Sequence, residues 1–195
     1  MLLAGSFAGS ARAMTLSLDA GGIAGTIPLS GFSLTAETGL SGGDPITIFD
    51  STTGAAGLQL SSPAQVEFTF LGIEADATNA FDVLGGEVFT GGSAPGISST
   101  FGLAGGLLDF AFRSTIGGTA ANGAIAAGIS IAFADLGDGS FIALFNDGGT
   151  DGDFDDFAVK IAVSPVPLPP AVWLFISAIL GLVSFTRIRR TQNAA

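Results

Sequence analysis

The sequence predicts an all-β fold, a β-sandwich or jelly roll, on three observations. Short apolar segments alternate with a period of two, glycine pairs punctuate them, and 17 phenylalanines are available to fill the space between two sheets. The first expected strands are Thr15–Leu18 and Ile46–Phe49, brief apolar runs bounded by turn residues. Gln65–Leu71 carries the clearest alternation, with Val66, Phe68 and Phe70 on one face and Glu67 and Thr69 on the other. Phe81–Leu84 follows. Leu107–Ser114 sets Leu108, Phe110 and Phe112 against Leu107, Asp109, Ala111 and Arg113. Ile129–Ala134, Phe141–Phe145 and Phe157–Val163 complete the set. The Ala-rich stretch Thr119–Ile131 has some helical character, but Gly123, Gly128 and the β-branched Ile125, Ile129 and Ile131 favour strand. Gly-Gly pairs at 42–43, 85–86, 91–92, 105–106, 117–118 and 148–149 supply the turns between these runs.

Residues 14–164 are enough for one domain with a real core. Between Met14 and Ser164 stand two basic residues, Arg113 and Lys160, against all 17 acidic ones, a net charge of −15. Such a body repels nucleic acid and anionic lipid, and suits a solvated exported domain or one that collects cations. The chain has no Cys, which rules out disulfides and thiolate chemistry. It has no His, which removes the usual general base and the Ser-His-Asp relay. Carboxylates are the abundant reactive groups that remain. Glu67, Glu74 and Glu87 qualify by type as glycosidase-like acids, yet no spacing singles out a pair. The expectation is therefore a protein that is not an enzyme.

The C-terminal tail has three parts. Val166-Pro167-Leu168-Pro169-Pro170 precedes the apolar run Ala171–Phe185, and Arg187, Arg189 and Arg190 close it. From Val163 to Phe185 no side chain is charged. The run has 15 residues from Ala171, or 20 from Val166, against the roughly 20 needed to cross a bilayer core. A helix would begin at Pro169 or Pro170, since proline fits a first turn. Residues 165–195 are thus expected to hold a single transmembrane helix. Trp173 would lie at one headgroup level, and the arginines on the cytoplasmic side. The opposite reading is a buried helix of a soluble domain, but the apolar character runs all around this helix rather than along one stripe.

That motif, with Ala171, Trp173-Leu174-Phe175, Gly181-Leu182 and the arginines, resembles a VPLPA-CTERM sorting signal, a variant of the PEP-CTERM signals of Gram-negative bacteria. This chain departs from the pattern by one extra proline, Pro170, before Ala171. The resemblance implies export, transient insertion in the inner membrane, and processing near the proline motif by an exosortase-type enzyme. The mature protein would then reach the cell surface or the extracellular matrix, with exopolysaccharide as an expected neighbour. Within the body, Val66–Ala75, Asn79–Phe81, Ile131–Ala134 and Ala143–Gly149 look like segments of exported proteins of that type, which are commonly all-β and without assigned activity.

At the other end, Ala11-Arg12-Ala13 fits the small-x-small pattern of a signal-peptidase site. Residues 1–13 are expected to be the end of a signal peptide whose basic start lies upstream.

Just before the tail, Asn146–Phe157 places five carboxylates, Asp147, Asp151, Asp153, Asp155 and Asp156, within ten positions. The alternate spacing of Asp151, Asp153 and Asp155 resembles the start of a calcium loop. It is not an EF-hand, because the sixth position holds Asp156 instead of Gly and the twelfth holds Ala162 instead of Glu. Two readings stand: a calcium-binding loop, or a solvated turn that keeps the sheet edge soluble while Phe154 and Phe157 reach into the core. A second acidic stretch, Asp135-Leu136-Gly137-Asp138-Gly139, reads as a hairpin turn. The leading functional expectation is a surface or matrix protein, with a glycan-binding adhesin or a calcium-binding surface protein as alternatives.

Overall fold

A computed structural model describes residues 14–74, 78–148 and 152–163. The strands are β1 (Leu16–Leu18), β2 (Ile23–Thr26), β3 (Pro45–Phe49), β4 (Leu58–Leu60), β5 (Ala64–Gly72), β6 (Asn79–Val83), β7 (Gly86–Thr90), β8 (Ser98–Leu103), β9 (Gly106–Leu107), β10 (Phe110–Ser114), β11 (Gly118–Ala121), β12 (Ala124–Ile125), β13 (Ser130–Asp135), β14 (Phe141–Asn146) and β15 (Phe157–Val163). A single helical turn, α1 (Thr35–Thr38), ends where Gly39 takes a left-handed φ of 72°. The all-β expectation holds.

The strands form a seven-stranded sheet in the order β2-β3-β13-β14-β15-β5-β8 and a five-stranded sheet in the order β12-β11-β10-β6-β7, with a small third sheet, β1-β4-β9. Every pairing is antiparallel. The two large sheets meet across a phenylalanine layer. Phe68, Phe70, Phe133, Phe145 and Phe157 come from the seven-stranded sheet, and Phe81, Phe89, Phe110 and Phe112 from the other; all are buried. Phe112 stacks on Phe145 with centroids 5.1 Å apart and planes at 4°, and Phe70 lies 6.0 Å from Phe89. Each such ring contributes about 1.5–3 kcal/mol by burial, with a further ~0.5–1.5 kcal/mol per well-placed pair.

The outer face of the seven-stranded sheet is also covered. Residues 27–40 lie over it, and Ile27, Leu34 and Leu40 join Ile46, Ala132, Ala134, Ile142, Leu144, Phe154 and Ala158 in a second, smaller core. This explains the composition of β13 and β14. Ile131-Ala132-Phe133-Ala134 and Phe141-Ile142-Ala143-Leu144-Phe145 are buried at every position because both faces are covered, so they do not alternate. β5, by contrast, keeps its side chains outside the first core only partly buried, and reads as sequence alternation predicts.

Local corrections follow from where the chain changes sheets. Leu107–Ser114 is not one strand. Leu107 pairs with Gln59 in the small sheet, Leu108 donates its N–H to Leu58, and only from Phe110 does the chain join β6 and β11. Phe81–Leu84 shifts to Asn79–Val83, with Leu84 and Gly85 (φ 53° and 73°) forming the two-residue turn into β7. Thr119–Ile131 is extended, as β11, β12 and the start of β13. Asp135–Gly139 is part of the hairpin connection between β13 and β14, as expected. Buried Asn122 ties the small sheet to the rest, accepting from Leu58 N–H at 2.8 Å and donating to the carbonyls of Leu58 and Leu108 at 2.9 Å.

The chain divides into two compact units, Met1–Ser164 and Pro165–Ala195. Among the described residues no helix is long and apolar enough to cross a membrane. The expected span in 165–195, the sorting residues Val166–Pro170, Arg187, Arg189 and Arg190, and the cleavage residues Ala11 and Ala13 all lie outside the described residues.

Candidate cation site

The acidic loop returns from β14 to β15, and its described carboxylates fall into two groups. Asp151 lies outside the described residues; Asp147, Asp153, Asp155 and Asp156 are all buried. They are therefore not the solvated turn of the second sequence reading, although Phe154 and Phe157 do enter the core as that reading expects.

Asp147 and Asp156 form one group. The N–H of Asp147 donates to Asp156 Oδ2 at 2.7 Å. Asp147 Oδ2 accepts from Asn79 Nδ2 and from the Ser114 hydroxyl, each at 3.3 Å. Asn79 Nδ2 also reaches the Asp156 carbonyl at 3.2 Å. Asn79 begins β6 and Ser114 ends β10, so this network fastens the five-stranded sheet to the end of β14. Both hydrogen bonds to the Asp147 carboxylate come from the protein itself, while Asn79 Oδ1 is buried without a hydrogen-bond partner.

Asp153 and Asp155 form the other group, joined by Glu74. One carboxylate oxygen from each of the three lies within 4.8 Å of the others. Glu74 is exposed, whereas Asp153 is 4% and Asp155 0% exposed. The register of β5 on β15 builds the group. Gly72 pairs with Ala158, and just beyond that pair the N–H of Glu74 donates to the Asp155 carbonyl at 3.1 Å. Between the two aspartates, Phe154 takes φ 66° and drops its ring into the outer core. The cover segment supplies the other wall. Asp155 Oδ2 accepts from Ser33 N–H at 2.5 Å. Gly31, at φ 102°, leaves room for Asp153, because a Cβ there would stand 2.9 Å from Asp153 Oδ2. Asp155 Oδ1 is buried with no hydrogen-bond partner.

The two basic side chains among the described residues face other carboxylates. Arg113 donates to Asp82 at 2.6 Å and to Glu87 at 2.7 Å, and these hydrogen bonds, the one to Asp82 foremost, hold its guanidinium pKa above the ordinary value. Lys160 lines a surface hollow with Asp138 and Ser140. Hydrogen bonds from Ser140 keep the Asp138 carboxyl below the usual range.

Sequence reasoning placed Glu74 by type only, among glycosidase-like acids. Its meeting with Asp153 and Asp155 depends on a pairing between segments some 80 residues apart, and nothing local to Glu74 announces it. With an oxygen-only donor set and neither His nor Cys in the chain, the group suits a hard cation. Compared with family models, curated proteins and solved structures, the chain matches none of them.

Proposed function

We propose that this is an exported, non-enzymatic surface or matrix protein whose β-sandwich body is delivered by a C-terminal sorting signal of the VPLPA-CTERM type. In this reading residues 1–13 are the remnant of a signal peptide, and the apolar run Ala171–Phe185 is a transient inner-membrane helix. The jelly-roll form of the sandwich, the exosortase-type partner and an exopolysaccharide surrounding belong to the same proposal. What supports it is the change of chemistry at one boundary. The compact acidic unit ends at Ser164, and the chain beyond it is, in order, proline-rich, apolar and basic.

The glycan-binding alternative gains nothing from the body. Stacking on sugars needs exposed aromatic faces, the body has neither Tyr nor Trp, and every described phenylalanine except Phe32 and Phe101 is buried.

The test is processing. The full chain with a C-terminal epitope is expressed in a Gram-negative host with and without an exosortase-type enzyme. Loss of the epitope and release of the body only when the enzyme is present is the expected result. Replacement of Pro167 and Pro169 by Ala, or of the three arginines by Gln, should retain the epitope. An epitope kept on a cytoplasmic chain in both hosts overturns the proposal.

A further inference from the structure

We propose that Glu74, Asp153 and Asp155 form a calcium site that clamps the cover segment 27–40 onto the end of the seven-stranded sheet. The inference stands apart from export, since it rests on the body alone.

Three carboxylates converge to within 4.8 Å, two of them on buried aspartates, and the two described basic side chains face other carboxylates. Gathering three carboxylates and burying two of them is costly, because like charges repel and burial strips their hydration. A buried carboxylate oxygen without a donor loses its hydration with no return. Asp155 Oδ1 is in that position, while its partner oxygen is held by Ser33 N–H. Asp155 is thus fixed on one side by the cover segment and left open on the other. A cation placed among the three carboxylates and bound through Oδ1 would give that oxygen its missing partner and neutralise the charge.

Coordination chemistry favours calcium, since magnesium demands a near-ideal octahedral shell and gives up its waters reluctantly. Calcium also accepts irregular shells completed by water, which the exposed side of Glu74 admits. The consequence is mechanical. Asp155 holds Ser33, and Asp153 packs against Gly31, so an ion binding both aspartates also fixes residues 31–33 on the sheet.

The test uses the full chain in detergent, stripped with chelator and titrated with calcium or magnesium by calorimetry and thermal melting. Calcium should produce binding heat and raise the melting temperature by several degrees at about 10 mM, with a smaller shift for magnesium. Glu74→Gln, at an exposed position that leaves folding intact, should weaken calcium binding at least tenfold. Asp155→Asn, which keeps an acceptor for Ser33 N–H, should abolish it. Asp138→Asn, in the separate hairpin turn, should bind as wild type does. No heat and no thermal shift with calcium overturns the site. So does calcium binding unchanged in both Glu74→Gln and Asp155→Asn, and an equal response to magnesium overturns its assignment to calcium.

Discussion

Asp147 and Asp155 belong to one acidic loop, are buried to nearly the same degree, and differ in how their charge is met. Asp147 accepts from Asn79 and Ser114, and its own N–H is held by Asp156, so its surroundings are built from the protein. Asp155 accepts one hydrogen bond from Ser33, keeps a second oxygen without a donor, and faces two more carboxylates. The count of acidic residues in a loop therefore says little about ligands. What separates a structural carboxylate from a ligand carboxylate is whether the fold itself supplies its donors.

The largest expected effect tests the structural half. Asp147→Ala removes the acceptor shared by Asn79 and Ser114 and leaves buried donors between the sheets, a loss of about 2–4 kcal/mol. Urea denaturation should show the same loss in calcium and in chelator. A loss confined to calcium-loaded protein would dissolve the distinction between the two groups.

Gly31→Ala should cost about 1–2 kcal/mol, because alanine is strained at φ 102° and its methyl would press on Asp153. If Asp153 is a ligand, the variant should also bind calcium less tightly. A variant as stable as wild type would show that the cover segment does not hold Asp153 in place.

The third expectation reverses the sign. In chelator, Asp155→Asn should stabilise the protein by roughly 1 kcal/mol, since it keeps the acceptor for Ser33 and removes one of three mutually repelling charges. Asp147→Ala destabilises under the same conditions. Were both variants destabilised alike, Asp155 would be a structural carboxylate too.

The fold was legible where chemistry is local. Gln65–Leu71 alternates because one of its faces lies in the core and the other does not, and the glycines after Leu84 and Leu136 marked real turns. The missed strands, Ile23–Thr26, Leu58–Leu60, Gly86–Thr90 and Ser98–Leu103, are short, contain glycine or follow it closely, or lie at sheet edges. Their strand state comes from a neighbour's hydrogen bonds more than from their own pattern. Residues 27–40 could not be recognised as a cover, because its few apolar anchors are irregularly spaced and all of it but the turn of α1 is non-regular structure. The site was half legible for the same reason. Asp153 and Asp155 lie two apart in the chain, whereas Glu74 reaches them only through the β5–β15 register.

The smallest effect concerns a carboxylate fully served by its own turn. Asp50 Oδ1 accepts from the N–H and hydroxyl of Thr52 at 2.8 and 2.6 Å, and these bonds hold its pKa below the ordinary aspartate value. A depressed folded pKa means that the ionised group stabilises the fold above the unfolded value of about 3.9, and that this contribution disappears as pH falls through the lower, folded value. Asp50→Asn should therefore cost about 0.5 kcal/mol near neutral pH. The gap between wild type and variant should narrow below about pH 4, measured by urea denaturation across the acid range. Calcium should leave that gap unchanged at every pH, because a carboxylate whose donors come from its own turn has no vacancy for an ion. A gap that widened on acidification would give Asp50 the opposite linkage and remove it as the solvent-side counterpart of Asp147.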